Sequence, residues 1–237
     1  MESELSSCVR YKVLEFLIQS AQRLEVRPIV KYSALSLFAD RFYPSLTRFR
    51  QTSDKENWLL KPMRDSNLQL FTLISLWISS KIHESRAISV KGLKSLGDEF
   101  IKEQQFMIRD FLEGELLFMQ VIDFNIGTSN IAFVILEKHL IQFKGIAIVG
   151  ELLNFEACMD IMDLLYEEQE LSTLYYNPES LSAAILVVAY VITVPKQKWE
   201  FPVLPWVKFI SSCKEEDVVE IVGNILKHVV GGRTLSF

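Results

Sequence analysis

The sequence predicts an all-α chain built as two tandem five-helix lobes, residues 1–126 and 127–237. Three observations predict it. Apolar residues recur at three- and four-residue steps along most of the chain, the signature of one-sided helices. Glycine and proline are scarce, nine and seven in 237 residues, too few for a turn-rich β fold. The helical stretches also fall into two successive sets of five, separated by a break near Gly127, and the third helix of each set is the most apolar.

The first helix is expected over 4–25, where Leu5, Val9, Val13, Phe16, Leu17 and Leu24 share a face. Arg27-Pro28 breaks it, because a residue before proline avoids the α region. Pro28 opens a second helix that should run to Tyr43 and end at Pro44. Residues 44–64 are polar and aperiodic and read as a long loop closed by Pro62. A third helix starts near Asp65 or Ser66 and runs through Lys81 with apolar residues nearly all round, which places it inside a bundle. A fourth follows Ser89 and ends near Gly97, and a fifth spans 103–122.

In the second lobe helices are expected over 129–143, 149–167, 177–194, 203–211 and 215–230. Asn177-Pro178 is a start signal, with Asn as N-cap and Pro in the first turn. The Gly-flanked run 145–150 lacks alternation and reads as a loop entering a helix.

Composition excludes much. Apolar residues make up 49% and charged residues 23%, which argues against a disordered chain. A net charge of −5 argues against wholesale nucleic-acid binding. Cys8, Cys158 and Cys213 are odd in number and far apart, so reduced thiols in an intracellular protein, nuclear or cytoplasmic, are expected. His83, His139 and His228 are scattered too, and no cofactor or metal is expected. The start Met-Glu-Ser-Glu carries no secretory pattern. The longest apolar run, 181–194, has 14 residues, whereas a membrane span needs ~20, so no membrane partner is expected. Gly145 and Gly150 have phosphate-loop spacing, but Glu151 stands where the lysine should be. No nucleophile setting appears, and the chain reads as a non-enzyme.

Two charges sit oddly. Lys81 extends the apolar row of Leu70, Ile74, Trp77 and Ile78, and Glu115 lies three or four residues from Phe111, Leu112, Phe118 and Met119. A carboxylate in an apolar row calls for a partner, because an unpaired buried charge costs several kcal/mol. Spacing alone also allows Lys81 to complement its helix's C-terminal dipole and Glu115 to reach solvent at a helix edge. It does not show that the two meet. Arg10, among Val9, Val13 and Leu14, and Asp40, after the apolar 35–39 stretch, allow either a salt bridge between the first two helices or unrelated surface charges.

Several motifs together resemble one family, the cyclins. Residues 9–17 (VRYKVLEFL) are similar to the family's opening M-R-A-I-L-V-D-W-L helix, and Asp40-Arg41-Phe42 matches its D-R-F. Residues 68–84 resemble the Q-L…A-S-K-x-E-E helix, 115–126 resemble E-x-x-I-L-x-x-L-x-F-x-L, and 176–184 resemble the P-S-x-x-A-A-A helix of a second cyclin fold. The two lobes would thus be cyclin boxes, and the short chain is similar to the small J-type cyclins of plants.

The resemblance implies a regulatory subunit that binds and activates a cyclin-dependent Ser/Thr kinase in cell-cycle control. It implies that Lys81 and Glu115 orient a kinase segment beside the mobile αC helix. Ile78, Ile82, Met119, Phe124 and Ile126 would be the apolar contacts, with Glu84 at the rim. It also implies that Arg10 and Asp40 bridge the first two helices. The family's substrate-docking patch corresponds to Val9, Val13, Phe16 and Gln69, with Lys12 replacing a central Ile; a cation there should weaken docking of cationic R-x-L peptides. His83 replaces one of the paired acids. Lys55-Glu56-Asn57 resembles the K-E-N signal read by the anaphase-promoting ubiquitin ligase; a solvated polar loop is the plainer account. A non-catalytic scaffold or transcription-factor-type module with the same fold is the alternative function.

Overall fold

In a computed structural model, residues 7–52, 57–127, 131–167, 177–211 and 213–231 are described. Among them the chain is helical throughout, without a strand, and it divides into two compact units, Met1–Thr128 and Ser129–Phe237.

The first unit contains α1 (Ser7–Arg23), α2 (Pro28–Leu35), α3 (Tyr43–Thr52), α4 (Asp65–His83), α5 (Val90–Phe100) and α6 (Ile108–Val121). A π-helical stretch, Ser36–Phe42, joins α2 to α3, so the three form one continuous helix and the unit reduces to five helices among the described residues. α4 is the hub, packing against α1, α2, α5 and α6. Its residues from Ser66 to Ser80, Gln69 apart, are buried. An all-round apolar helix does this because it has no face fit for water. Most of the small hydroxyls along it bond to backbone carbonyls. Ser75 and Ser80 donate to backbone carbonyls of α4 itself, and Ser79 Oγ donates to Val30 O of α2 at 2.8 Å.

Two expectations are corrected here. Pro44 does not end the second helix, and residues 44–52 are helix rather than loop. The π turn is the reason. The Tyr43 N–H bonds to Phe38 O, five residues back. The wider turn shifts the carbonyl that a proline ring would strike, and Pro44 falls in the first turn of α3, where its missing N–H costs little. α6 begins at Ile108, not near 103, because the Asp110 carboxylate accepts from the Met107 N–H at 2.7 Å and so fixes the first turn.

The core of this unit is a run of aromatic rings. Phe42 stacks on Phe118 with centroids 4.4 Å apart and tilts against Phe71 at 4.7 Å. α6 lies close to α4 at one position. A methyl group added at Gly114 would stand 2.5 Å from Cδ1 of the buried Ile74. Any larger residue there would force the Ile74 side chain to move within the packed core.

The second unit contains α7 (Ala132–Ile146), α8 (Phe155–Glu167), α9 (Pro178–Thr193), α10 (Val203–Ser211) and α11 (Glu215–Gly231). α9 repeats the role of α4, packing against α7, α8, α10 and α11. Asn177 caps it as expected, its Oδ1 accepting from the Glu179 N–H at 2.9 Å. The Gly-flanked run ends α7 and then forms a short 3-10 turn, Ile148–Leu152. Phe143 centres an aromatic cluster with Tyr190, Phe201 and Trp206. On α8, Cys158 is fully buried, and burial pushes its thiol up to about 12.

Gly114→Ala should lower stability by about 1 kcal/mol net, because an overpacking cost of about 1–3 kcal/mol exceeds the helix-propensity gain. Adding Ile74→Val, which deletes the obstructing methyl group, should recover most of that loss in denaturant titrations. Cys158 predicts a pH effect. Its thiol ionises near 9.0 when unfolded and near 12 when folded, so its contribution is intact below the lower value and declines as pH rises between the two. Relative to Cys158→Ala, the unaltered chain should lose about 1.4 kcal/mol of unfolding free energy per pH unit above that lower value.

Candidate functional site

The residue after Gly114 is the misplaced acid of the sequence. Glu115, next on α6, meets Lys81 of the last turn of α4, with Nζ 2.5 Å from Oε1. The two residues that spacing left separate are therefore partners. The Lys81 ammonium also lies 3.6 Å from the centroid of the Trp77 ring one turn back, so its stem covers an otherwise buried indole. The pair is only partly withdrawn from water, with side-chain exposures of 40% and 25%. Such a pair contributes about 0–1 kcal/mol to folding. An ammonium has three protons and a carboxylate about four lone-pair positions, and the mutual bond uses one of each. The arrangement can therefore hold both a carbonyl and an N–H group of a third party.

Apolar residues flank the pair along the chain on both helices. Ile82 is exposed beside Lys81, Met119 is half-buried one turn beyond Glu115, and Phe124 is 60% exposed just past the end of α6. Ile126 is half-buried. Ile78 is buried. Glu84 is held by Arg27, whose Nε donates to its carboxylate at 2.7 Å and whose guanidinium also bonds the His83 carbonyl. His83 Nε2 lies 3.2 Å from Ser33 Oγ, and burial, then the Arg27 charge, lowers its pKa against the opposing pull of Glu84. Leu112 and Leu116, both more than half exposed, extend the apolar face of α6. They are absent from the sequence-based set. Their three-residue and one-residue offsets from Glu115 were the available signal.

The chain after α6 takes an uncommon path. Asp123 and Phe124 have φ of 52° and 54°, in the left-handed region that bulky side chains avoid at a cost of about 1–3 kcal/mol. The Phe124 N–H closes on Met119 O at 2.8 Å. Arg41 crosses from the π-helical stretch to fasten residues 125–127. One guanidinium nitrogen donates to Asn125 O and Oδ1 at 2.8 and 2.9 Å, the other to Gly127 O at 2.6 Å.

The remaining sequence-derived residues fall elsewhere. Arg10 is buried in α1 and Asp40 half-buried in the π-helical stretch; the Arg10 charge reaches Tyr43, whose phenol burial nonetheless raises. Of the docking-patch residues, Val13 and Phe16 are buried in the core, Val9 and Gln69 are half-buried, and Lys12 is exposed. Lys55 and Glu56 lie outside the described residues. Asn57 is engaged by the fold. Its amide donates to Glu113 at 2.8 Å and its Oδ1 accepts from the Leu59 N–H at 2.9 Å.

No group of three or more His, Cys, Asp or Glu residues able to hold a metal exists among the described residues. No helix there is long and apolar enough to cross a membrane.

Comparison with known proteins gives this surface a context. Residues 1–127 match the family model described as cyclin, N-terminal domain. A protein of Arabidopsis thaliana, Cyclin-J18, is 60% identical over 222 residues, which is 94% of this chain and 95% of the relative. A Cyclin-J18-like protein of Oryza sativa subsp. japonica is 51% identical over 227 residues, 93% of this chain and 87% of the relative. The crystal structure of a viral cyclin from herpesvirus saimiri superposes with a TM-score of 0.70 at 16% identity, covering 96% of this chain and 87% of that one, a likeness of fold. The chain belongs to the cyclin family and groups there with the small J-type cyclins of plants.

Proposed function

We propose that this cyclin binds and activates a cyclin-dependent Ser/Thr protein kinase in cell-cycle control, receiving the kinase's αC region on the surface around Lys81 and Glu115. The carrying observation is the pair itself: two opposite charges held together at 2.5 Å on adjoining helices and partly open to water, on helices that also carry the exposed Ile82, Leu112 and Leu116. The pair adds little to stability, so its placement among apolar residues favours a recognition role.

The mechanism follows from partner geometry. Apolar contact with Ile82 and Phe124 would bury the kinase helix, and the two charges would fix the orientation of its adjoining backbone. Docked inward, the αC glutamate reaches the β3 lysine, and the activation loop becomes ordered. The cyclin performs no chemistry. It shifts the kinase between states by binding one of them better. Nuclear or cytoplasmic residence would follow from that partner.

Co-expression with a panel of cyclin-dependent kinases, followed by pull-down and a histone-peptide phosphorylation assay, tests the reading directly. At least one kinase should be retained and activated; retention of none would sink it. Lys81→Ala and Glu115→Ala should each lower activation by about tenfold or more, as removal of a central charged contact does. Melting should shift by only a few degrees, in keeping with a loss of about 0–1 kcal/mol. Unfolding of both variants would make the pair structural instead.

A further inference from the structure

Arg41 lies outside the charged pair and its apolar neighbours. It sits on the π-helical stretch between Phe38 and Phe42, both buried, and Phe42 stacks on Phe118 of α6. The core thus fixes the base of the arginine side chain against the helix whose end it reaches. Its fork donates to three oxygens, two from Asn125 and one from Gly127, and so clamps the chain on both sides of Ile126. Gly127 is shaped to this contact. Its φ is +38°, and a methyl group there would stand 2.6 Å from both terminal guanidinium nitrogens. Just ahead of the clamp, Phe124 stays exposed on left-handed backbone. Backbone of that kind persists where neighbouring contacts over-determine it.

We propose that Arg41 is a positioning residue for kinase docking: its guanidinium holds the turn that presents Phe124 and Ile126, and it sets docking affinity through those two side chains. This rests on the docking reading above. Arg41 itself need touch no partner atom. A lysine would supply the charge without the planar fork whose two terminal nitrogens reach both sides of Ile126.

The test measures affinity for the captured kinase with the purified full chain and its Arg41→Gln and Arg41→Lys variants. Hydrogen exchange across residues 119–127 is followed in parallel. Arg41→Gln should weaken binding about tenfold, the scale of losing charge-assisted hydrogen bonds, and should speed exchange in that segment. Arg41→Lys should fall between. The discriminating measurement repeats Arg41→Gln in a Phe124→Ala, Ile126→Ala background. If Arg41 acts through those side chains, it adds little further loss there, whereas a general structural role would add its full effect. Unchanged affinity in Arg41→Gln, or full additivity in that background, overturns the inference while leaving the docking reading intact. Should the unaltered chain capture no kinase, the docking reading falls and takes this inference with it.

Discussion

At Gly114, α6 lies against α4 with space for a hydrogen atom and no methyl group. Ile74 occupies the other side, fully buried on the helix around which the first unit is built. That contact is one of those, with the Phe42–Phe118 stack, that seat α6 in the unit. A rotation of α6 by one residue would carry about 100° of its surface away from α4, and Glu115 would no longer face Lys81. The charged pair lies beside this apolar packing: Glu115 follows Gly114 directly, and Lys81 lies about two turns after Ile74. Packing of this kind resists small adjustment, because a dense interior has no slack into which a helix can slide.

The pair is poor as a fastener and well suited to recognition. Two partly hydrated charges recover little free energy by meeting, and the stability of the unit rests on rings such as Phe42, Phe71 and Phe118. Meeting in advance does change what a partner encounters. An isolated lysine on an apolar surface must be both oriented and dehydrated when covered. Lys81 is already oriented by Glu115 and laid over Trp77. Part of the ordering cost of docking is thus met when the chain folds.

Local pattern and tertiary geometry divide what could be read from the sequence. α4 and α9 were legible because burial on all sides leaves a local record, apolar residues all round. Asn177 was legible because a cap bonds within two residues of itself. Lys81 and Glu115 were conspicuous as misplaced charges, but their contact joins residues 34 apart on two different helices, which local pattern does not reveal. Pro44 misled for a physical reason. The rule that proline stops a helix assumes α register, and the π turn before it alters the register. Asn57 looked like part of an open polar loop, yet its amide holds Glu113 of α6, again a tertiary bond.

Charge and apolar surface are carried by different kinds of structure here. The charges stand on two long helices locked by core packing, so their spacing is rigid. The aromatic contact stands on a turn of left-handed backbone whose far side is held by the solvent-accessible hydrogen bonds of Arg41. Hydrogen bonds in that setting open far more readily than a packed core does. A partner would thus meet a fixed polar reference and an adjustable apolar contact. The fixed part discriminates by geometry, since a segment that cannot satisfy both Lys81 and Glu115 leaves charges uncompensated. The adjustable part accommodates differences in side-chain shape. Arg41 sets how far that adjustment extends, because it ties the turn back to Phe42 and Phe118, the same rings that fix α6. Orientation and tolerance therefore have separate structural origins, anchored in one core.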